Sequence, residues 1–188
     1  GYVLFYIMIA FSQIYAKSAP IISEAGYVMG LGFSPQIFTA LLMPSAVSLA
    51  ITITISGKYI DKVGRRIWLI WTTVGVALFG LVLPYFLENG TTLSLFWFLI
   101  IGMGLIGMGY GPLASFLPEL FPTHARYSGA SLTYNIAGLF GASVAAIIAL
   151  PLNANYGLKG VGIYLTLNAV LSLIGLWFIT ETRDRQLL

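Results

Sequence analysis

The sequence predicts an all-α, polytopic membrane protein with six transmembrane helices. Hydrophobic residues make up 59% of the 188 residues and charged residues 8%, against about 25% charged in soluble domains. The charges are concentrated in short segments between long apolar runs, each with the roughly 20 residues that a helix needs to cross a bilayer. We therefore expect a single six-helix transmembrane bundle over residues 1–188. The absence of cysteine excludes disulfides and thiolate metal sites.

The first predicted span, residues 1–25, is the most polar. Plotted as a helix, it places Tyr2, Tyr6, Gln13, Lys17 and Glu24 within about 60° of one another, as a polar stripe on an apolar helix. Polar side chains inside a membrane are costly and usually functional. Lys17 also has a simpler interpretation: it lies roughly 24 Å along the helix from the start of the chain, so its ammonium can reach the membrane surface.

The second and third spans, residues 35–56 and 67–87, contain no charged residue. Gly57–Arg66 between them carries five charges, and we expect it to be a short turn outside the membrane. Residues 26–34 contain three glycines and predict a loop. Pro35 after that loop is a suitable first helical residue.

The fourth span, residues 93–117, contains a glycine pattern from Gly102 to Gly107 that formally matches the dinucleotide-binding fingerprint. We reject that interpretation because the pattern lies inside an apolar run, whereas the fingerprint joins a strand to an amphipathic helix. Small residues instead let membrane helices approach closely. The sequence therefore predicts that this span packs tightly against a neighbour.

The fifth and sixth spans, residues 127–150 and 160–180, follow a second charged turn, Pro118–Arg126. Alternation places this turn, Gly57–Arg66 and the C-terminus on one side of the membrane, together with seven of the nine lysines and arginines. These seven are Lys58, Lys62, Arg65, Arg66, Arg126, Arg183 and Arg185. Cytoplasmic loops carry an excess of basic residues, so we expect a multi-pass protein of the cell membrane with a cytoplasmic C-terminus.

The first charged turn satisfies the pattern G-x-x-x-D-[RK]-x-G-R-[RK] at every fixed position. The matching residues are Gly57, Asp61, Lys62, Gly64, Arg65 and Arg66. This resembles the signature turn of the major facilitator superfamily of transporters. A merely basic stop-transfer turn would explain the lysines and arginines but not the spaced glycines and aspartate.

Two further segments are similar to particular branches of that superfamily. Residues 118–131 with Tyr134 and Asn135 resemble the turn into the penultimate helix of metabolite:proton symporters and, more loosely, of sugar porters. Glu181-Thr-Arg183 resembles the end of sugar porters. The resemblance implies the C-terminal six helices of a twelve-helix transporter, so we expect the N-terminal half to be missing here. The stretch after Asn135 lacks the Gly-Gly and proline of the metabolite symporters, which leaves the subfamily and substrate open.

The resemblance implies a secondary active transporter of a small polar metabolite, with an organic acid favoured, that works by alternating access and is coupled to protons. A sugar or polyol porter is the alternative within the superfamily. A self-standing six-helix protein with a structural or receptor function is the alternative outside it. We expect no catalytic constellation, cofactor, metal or nucleic-acid partner. The expected partners are the substrate, protons, the lipid bilayer and the missing half.

Two sets of site residues follow. The substrate-cavity candidates are Tyr6, Gln13, Lys17, Tyr134 and Asn135. The hydroxyls of Ser45, Ser48 and Thr52 are better explained by hydrogen bonding between helices. The resemblance also implies a cytoplasmic charge cluster that acts as a conformational latch, in which Glu119 pairs with Arg65 or Arg66. Its members are Gly57, Asp61, Gly64, Arg65, Arg66, Glu119, Arg126 and Glu181.

Overall fold

The structure is a computed structural model that describes residues 2–178, apart from the side chains of Asp61, Ala114, Ser115, Ala142 and Ala146. The described residues form helices and the segments that join them, and their only strand-like feature is one isolated bridge between Ile22 and Val28. We number six helices in chain order. They are α1 (Tyr2–Lys17), α2 (Pro35–Val63), α3 (Arg65–Glu88), α4 (Thr92–Glu119), α5 (126–156) and α6 (158–178).

Four described stretches are long and apolar enough to cross a membrane: Pro35–Ile60, Arg65–Glu88, Thr92–Glu119 and Ile147–Phe178. The last of these includes the break at Gly157, so its crossing part is α6. Tyr2–Lys17 is a shorter apolar helix. Together with the composition, these stretches make the chain a multi-pass membrane protein. They do not by themselves give six spans.

Helix α1 ends at Lys17, which corrects the expected first span of residues 1–25. Ser18 leaves the helix with an extended backbone (φ −64°, ψ 146°), and Pro20 follows. Proline has no N–H to continue the helical ladder and disfavours helical backbone in the residue before it. Glu24 therefore lies in the following loop and not on the polar face of α1.

The loop of residues 18–34 folds back on the helices. Leu31 and Phe33 donate backbone hydrogen bonds to the carbonyls of Tyr15 (3.0 Å) and Ala16 (2.8 Å). The buried side chain of Asn153, near the end of α5, donates to the carbonyl of Val28 (3.2 Å). We call this side of the bundle the loop end.

The turn between α2 and α3 is a single residue, Gly64, with φ 102° and ψ 134°. The expected turn over residues 57–66 is thus too long, because α2 continues helically to Val63. A positive φ of this kind is strained for residues that carry a Cβ. Gly57 lies inside α2, and a Cβ there would meet no atom within 4 Å, so no close helix contact depends on this glycine.

Helices α5 and α6 meet at Gly157 (φ 67°, ψ −171°), where the ring of Tyr27 from the loop packs against the glycine. The break is a single residue, whereas the expected fifth and sixth spans, residues 127–150 and 160–180, left nine residues between them. Helix α5 also contains a π-helical turn, Leu139–Ser143, and α1 contains another, Ile7–Phe11.

Two close helix pairs organise the bundle. In the first, which we call the α2–α4 seam, Gly104, Gly107 and Gly111 of α4 pack against Ser48, Thr52 and Ser56 of α2. Ser48 and Ser56 donate across it to the carbonyls of Ile100 (3.0 Å) and Gly107 (3.3 Å).

The second pair joins α3 to α6, where Gly80 meets Gly162 and Thr166 donates to the carbonyl of Ala77 (3.0 Å). Of the three hydroxyls expected to bond between helices, that of Ser48 does so. Those of Ser45 and Thr52 instead donate to carbonyls of α2 itself at 2.7–3.0 Å, which corrects the expectation for these two residues. The glycines of α4 permit close packing.

Candidate functional site

A charged end lies opposite the loop end. It contains the turn at Gly64, residues 119–126 and the last described turn of α6. Arg65 forms an ion pair with Glu119 at the end of α4, and their side chains are 19% and 15% exposed. The pair connects α3 to α4 in a partly dehydrated setting, where charges are screened less than at an open surface.

Arg66 binds a different partner, the last described turn of α6. Its Nε donates to the carbonyl of Leu176 (3.0 Å) and its Nη2 to that of Trp177 (2.9 Å). A guanidinium near the C-terminal part of a helix interacts favourably with the helix dipole. The two arginines therefore connect α3 to two different helices.

The other expected members of the charge cluster are placed as follows. Gly64 forms the turn that presents Arg65 and Arg66, and Gly57 lies exposed on α2. Arg126 begins α5, with a half-buried side chain. The side chain of Asp61 and the whole of Glu181 lie outside the described residues.

Between α1, α3, α4, α5 and α6 the bundle encloses a cavity of about 520 Å³ that reaches toward the charged end. Ligand pockets in proteins are typically about 300–1,000 Å³, so a small metabolite fits. Most of the lining is apolar. The lining side chains that carry a hydroxyl or amide are Tyr2, Thr72, Thr73, Tyr110, Thr133, Tyr134, Asn168 and Ser172.

Three tyrosines from three helices meet at this cavity, and we call them the tyrosine cluster: Tyr2 of α1, Tyr110 of α4 and Tyr134 of α5. The ring centroid of Tyr2 lies 6.4 Å from that of Tyr110 and 5.9 Å from that of Tyr134, with interplanar angles of 71° and 85°. Tyr2 can approach α5 because Gly141 has no side chain; a Cβ there would lie 2.8 Å from that of Tyr2.

Most other polar groups in the wall are already engaged. The hydroxyls of Thr72, Thr73 and Thr133 donate to carbonyls of their own helices at 2.7–2.9 Å. The amide of Asn168 donates one hydrogen bond to the carbonyl of Tyr164 (2.8 Å) and keeps a second N–H. Among the described residues we find no partner for the three tyrosine hydroxyls, which leaves them available to a ligand.

Of the expected cavity residues, only Tyr134 lines this cavity. Tyr6 is half-buried and packs against the core. Asn135 is exposed on α5, with its amide bonded to the carbonyl of Ser131 (2.8 Å). Gln13 and Lys17 lie in a shallow groove on the outside of α1, and the Lys17 ammonium is 5.4 Å from the centroid of the buried Phe38 ring.

Sequence reasoning missed Tyr110, the threonine pair of α3 and Asn168. Tyr110 stands between glycines 109 and 111, so a polar aromatic residue in a stretch otherwise suited to close packing was an available signal. Asn168 in the middle of the last span was another, because a buried amide in a membrane helix needs a reason. Neither signal shows that the two residues face the same cavity.

Comparisons with known proteins identify a family for this chain. The family model described as sugar (and other) transporter matches residues 4–188.

The chain belongs to this transporter family.

Among its relatives is a Haemophilus influenzae protein named for metabolite transport, 90% identical over 187 residues, which span 100% of this chain and 42% of the relative. The inner membrane metabolite transport protein YhjE of Escherichia coli is 39% identical over 187 residues, or 99% of this chain and 41% of that protein. A proline/betaine transporter of Salmonella typhimurium is 32% identical over 135 residues, which span 71% of this chain and 27% of the transporter. No significant match to a solved structure was found.

The chain thus spans about two fifths of the length of the first two of these relatives.

Proposed function

We propose that this chain is the C-terminal six-helix half of a secondary transporter that moves a small polar metabolite across the cell membrane by alternating access. The observation that carries the proposal is the family match over residues 4–188. In this proposal α1–α6 are the six spans, and the relatives' extra length corresponds to a second bundle that completes the transport path.

The distribution of polar side chains supports a second bundle. Gln13 and Asn135 are exposed on membrane helices, where contact with lipid would be costly. Contact with the other half, or with water between the halves, removes that cost. The polar face of α1 and the exposed amide of α5 would then border the path between the two bundles.

For orientation we propose that the charged end faces the cytoplasm. The ion pair of Arg65 with Glu119 and the contact of Arg66 with α6 put three helix ends on one side, the side that carries most of the basic residues. There the pair would act as a latch that favours one of the two conformations of the transporter.

For the substrate we propose an organic acid with proton coupling. Proline and betaine, which appear in the name of one relative, are both small carboxylates. The alternative is a sugar or polyol, which the description of the family itself includes.

The test is uptake by cells that express the full-length protein, with radiolabelled organic acids, amino-acid-like zwitterions, sugars and polyols, with and without a protonophore. We expect saturable uptake of at least one carboxylate that collapses with the protonophore. If only sugars or polyols enter, the organic-acid assignment is wrong. If no compound enters despite normal protein abundance in the membrane, the transport proposal fails.

A further inference from the structure

The tyrosine cluster has the geometry of a site for a cation without hydrogen-bond donors. The π face of an aromatic ring attracts a positive charge within about 6 Å of its centroid. The ring of Tyr2 is steeply inclined to those of Tyr110 and Tyr134, at 71° and 85°, and all three residues border one cavity. Because the centroids are only 5.9–6.4 Å apart, a compact cationic group in the cavity can lie within about 6 Å of the Tyr2 centroid and of a second centroid at the same time.

The rest of the lining distinguishes between types of cation. A primary ammonium needs hydrogen-bond acceptors for its three N–H groups, whereas most lining side chains, such as Val3, Leu69 and Leu105, are apolar. A quaternary ammonium has no N–H, and its methyl groups suit an apolar wall. Aromatic clusters recognise such groups in other proteins.

The charge of the lining side chains also limits the chemical class of ligand that the cavity can bind. No lining residue of this cavity, among those that the structure describes, is acidic or basic. A lone cation would be buried there without a counter-charge, which is costly. A zwitterion brings its own carboxylate, for which the tyrosine hydroxyls and the second N–H of Asn168 are the available donors.

We propose that the tyrosine cluster binds the quaternary ammonium group of a small zwitterion whose carboxylate is held by hydroxyl and amide donors of the same cavity. This inference rests on the proposed transport function and specifies the substrate class. It assigns the ring faces to the ammonium group and the hydroxyls to the carboxylate.

The experiment uses the full-length protein in cells, with radiolabelled glycine betaine as the probe and two competitors. The first is 3,3-dimethylbutanoate, which has the shape of glycine betaine but a carbon in place of the charged nitrogen. The second is choline, which keeps the quaternary ammonium and lacks the carboxylate. We expect saturable betaine uptake, with each competitor at least tenfold weaker than unlabelled betaine.

Two substitutions of Tyr110 distinguish the contribution of its ring to betaine binding from that of its hydroxyl. Tyr110→Leu removes the π face and is expected to raise the half-saturating betaine concentration at least tenfold and to abolish the preference for betaine over 3,3-dimethylbutanoate. Tyr110→Phe keeps the ring, so that preference should persist with a smaller loss of affinity. Tyr85→Leu, at a tyrosine that is 70% exposed on α3 and outside the cavity, is the matched control and should behave as wild type.

The outcomes separate the two proposals. If organic acids or sugars are taken up while betaine is neither taken up nor competes with them, the proposed zwitterion site is wrong and the proposed transport function stands. If 3,3-dimethylbutanoate competes as well as unlabelled betaine, the site does not recognise the positive charge of the ammonium group. Wild-type preference in Tyr110→Leu, at matched protein abundance, overturns the assignment to the tyrosine cluster. Absence of uptake for every compound overturns transport, and this inference with it.

Discussion

Arg65 and Arg66 are neighbours in the sequence but stabilise different parts of the bundle. Because Gly64 ends α2 in a single residue, both side chains start from the first turn of α3, about 100° apart around the helix. One reaches Glu119 and the other reaches the end of α6. A motif with one arginine could make only one of these contacts.

At the scale of single residues, we predict the effect of breaking the ion pair between Arg65 and Glu119. Glu119→Gln should shift the transporter toward the conformation in which the charged end is open. Exposed pairs contribute about 0–1 kcal/mol and breaking a buried pair costs about 3–5 kcal/mol; at 15–19% exposed, this pair lies nearer the second case. The measurement is the labelling rate of a cysteine introduced at Gln13 in the full-length protein.

The control for that prediction is Glu88→Gln, an exposed carboxylate at the other end of α3, which should leave the labelling rate unchanged. Arg65→Gln should shift the rate in the same direction as Glu119→Gln. The double variant should add little to either, because neighbours that share one interaction are not additive. Fully additive shifts would show that the two side chains do not act as a pair.

Lys17 carries a second prediction at the residue scale. If its ammonium attracts a substrate carboxylate at the loop end, Lys17→Gln should raise the half-saturating concentration at least tenfold, which corresponds to about 1.4 kcal/mol. Lys17→Arg should be partly tolerated. Unchanged affinity in Lys17→Gln uptake assays would instead identify the residue as an anchor near the membrane surface, held over the ring of Phe38.

At the scale of helices, glycines decide how closely α2 and α4 approach. A Cβ at Gly107 would lie 2.6 Å from the backbone carbonyl oxygen of Leu49, and backbone cannot move aside as a flexible side chain can. We predict that Gly107→Ala destabilises the full-length protein by about 1–3 kcal/mol, the usual cost of overpacking. Thermal unfolding of the purified protein in detergent measures it.

Gly57→Ala is the matched control for that prediction. It is also a glycine inside a helix, but its Cβ would meet nothing. Alanine is favoured over glycine in a helix by about 1 kcal/mol, so stability should be equal or higher. If both variants lose the same stability, close packing at the α2–α4 seam is not the cause.

Local signals were sufficient to predict several helix starts. Pro35 after Ser34 marks the start of α2, where the Ser34 hydroxyl accepts from the N–H of Ile37 (3.4 Å). The end of α1 differs from the expectation because apolar residues continue past Lys17, whereas Pro20 disfavours helical backbone before it. The glycines of α4 predicted a close neighbour but not that it would be α2.

The candidate site was harder to predict because it depends on contacts between residues that are distant in the sequence. Tyr134 was expected from its place on a polar stretch, whereas its contact with Tyr2 joins residues more than 130 positions apart in the chain. Helical periodicity shows which side chains share a face. It does not show which faces of six helices converge on one cavity.

At the scale of the whole molecule, the two ends of the bundle give a test of orientation. The chain has no cysteine, so single cysteines report cleanly if any remaining part of the full-length protein is made cysteine-free. In intact cells, cysteines at Lys62 and His124 should be protected from an impermeant thiol reagent, while one at Asn155 reacts. All three side chains are exposed, so protection cannot come from burial in this bundle. Labelling of Lys62 from outside would reverse the orientation.

The pairing of α2 with α4, and not mainly with α3, also bears on how the protein is made. A ribosome adds about 5–20 residues per second, so α2 waits on the order of seconds for α4 to enter the membrane. During that time Ser48, Thr52 and Ser56 lack their later neighbour. Thr52 and Ser56 can meanwhile donate to carbonyls of their own helix, those of Ser48 (2.9 Å) and Ile53 (2.9 Å). These local bonds let a helix with several hydroxyls remain in lipid until its partner is synthesised.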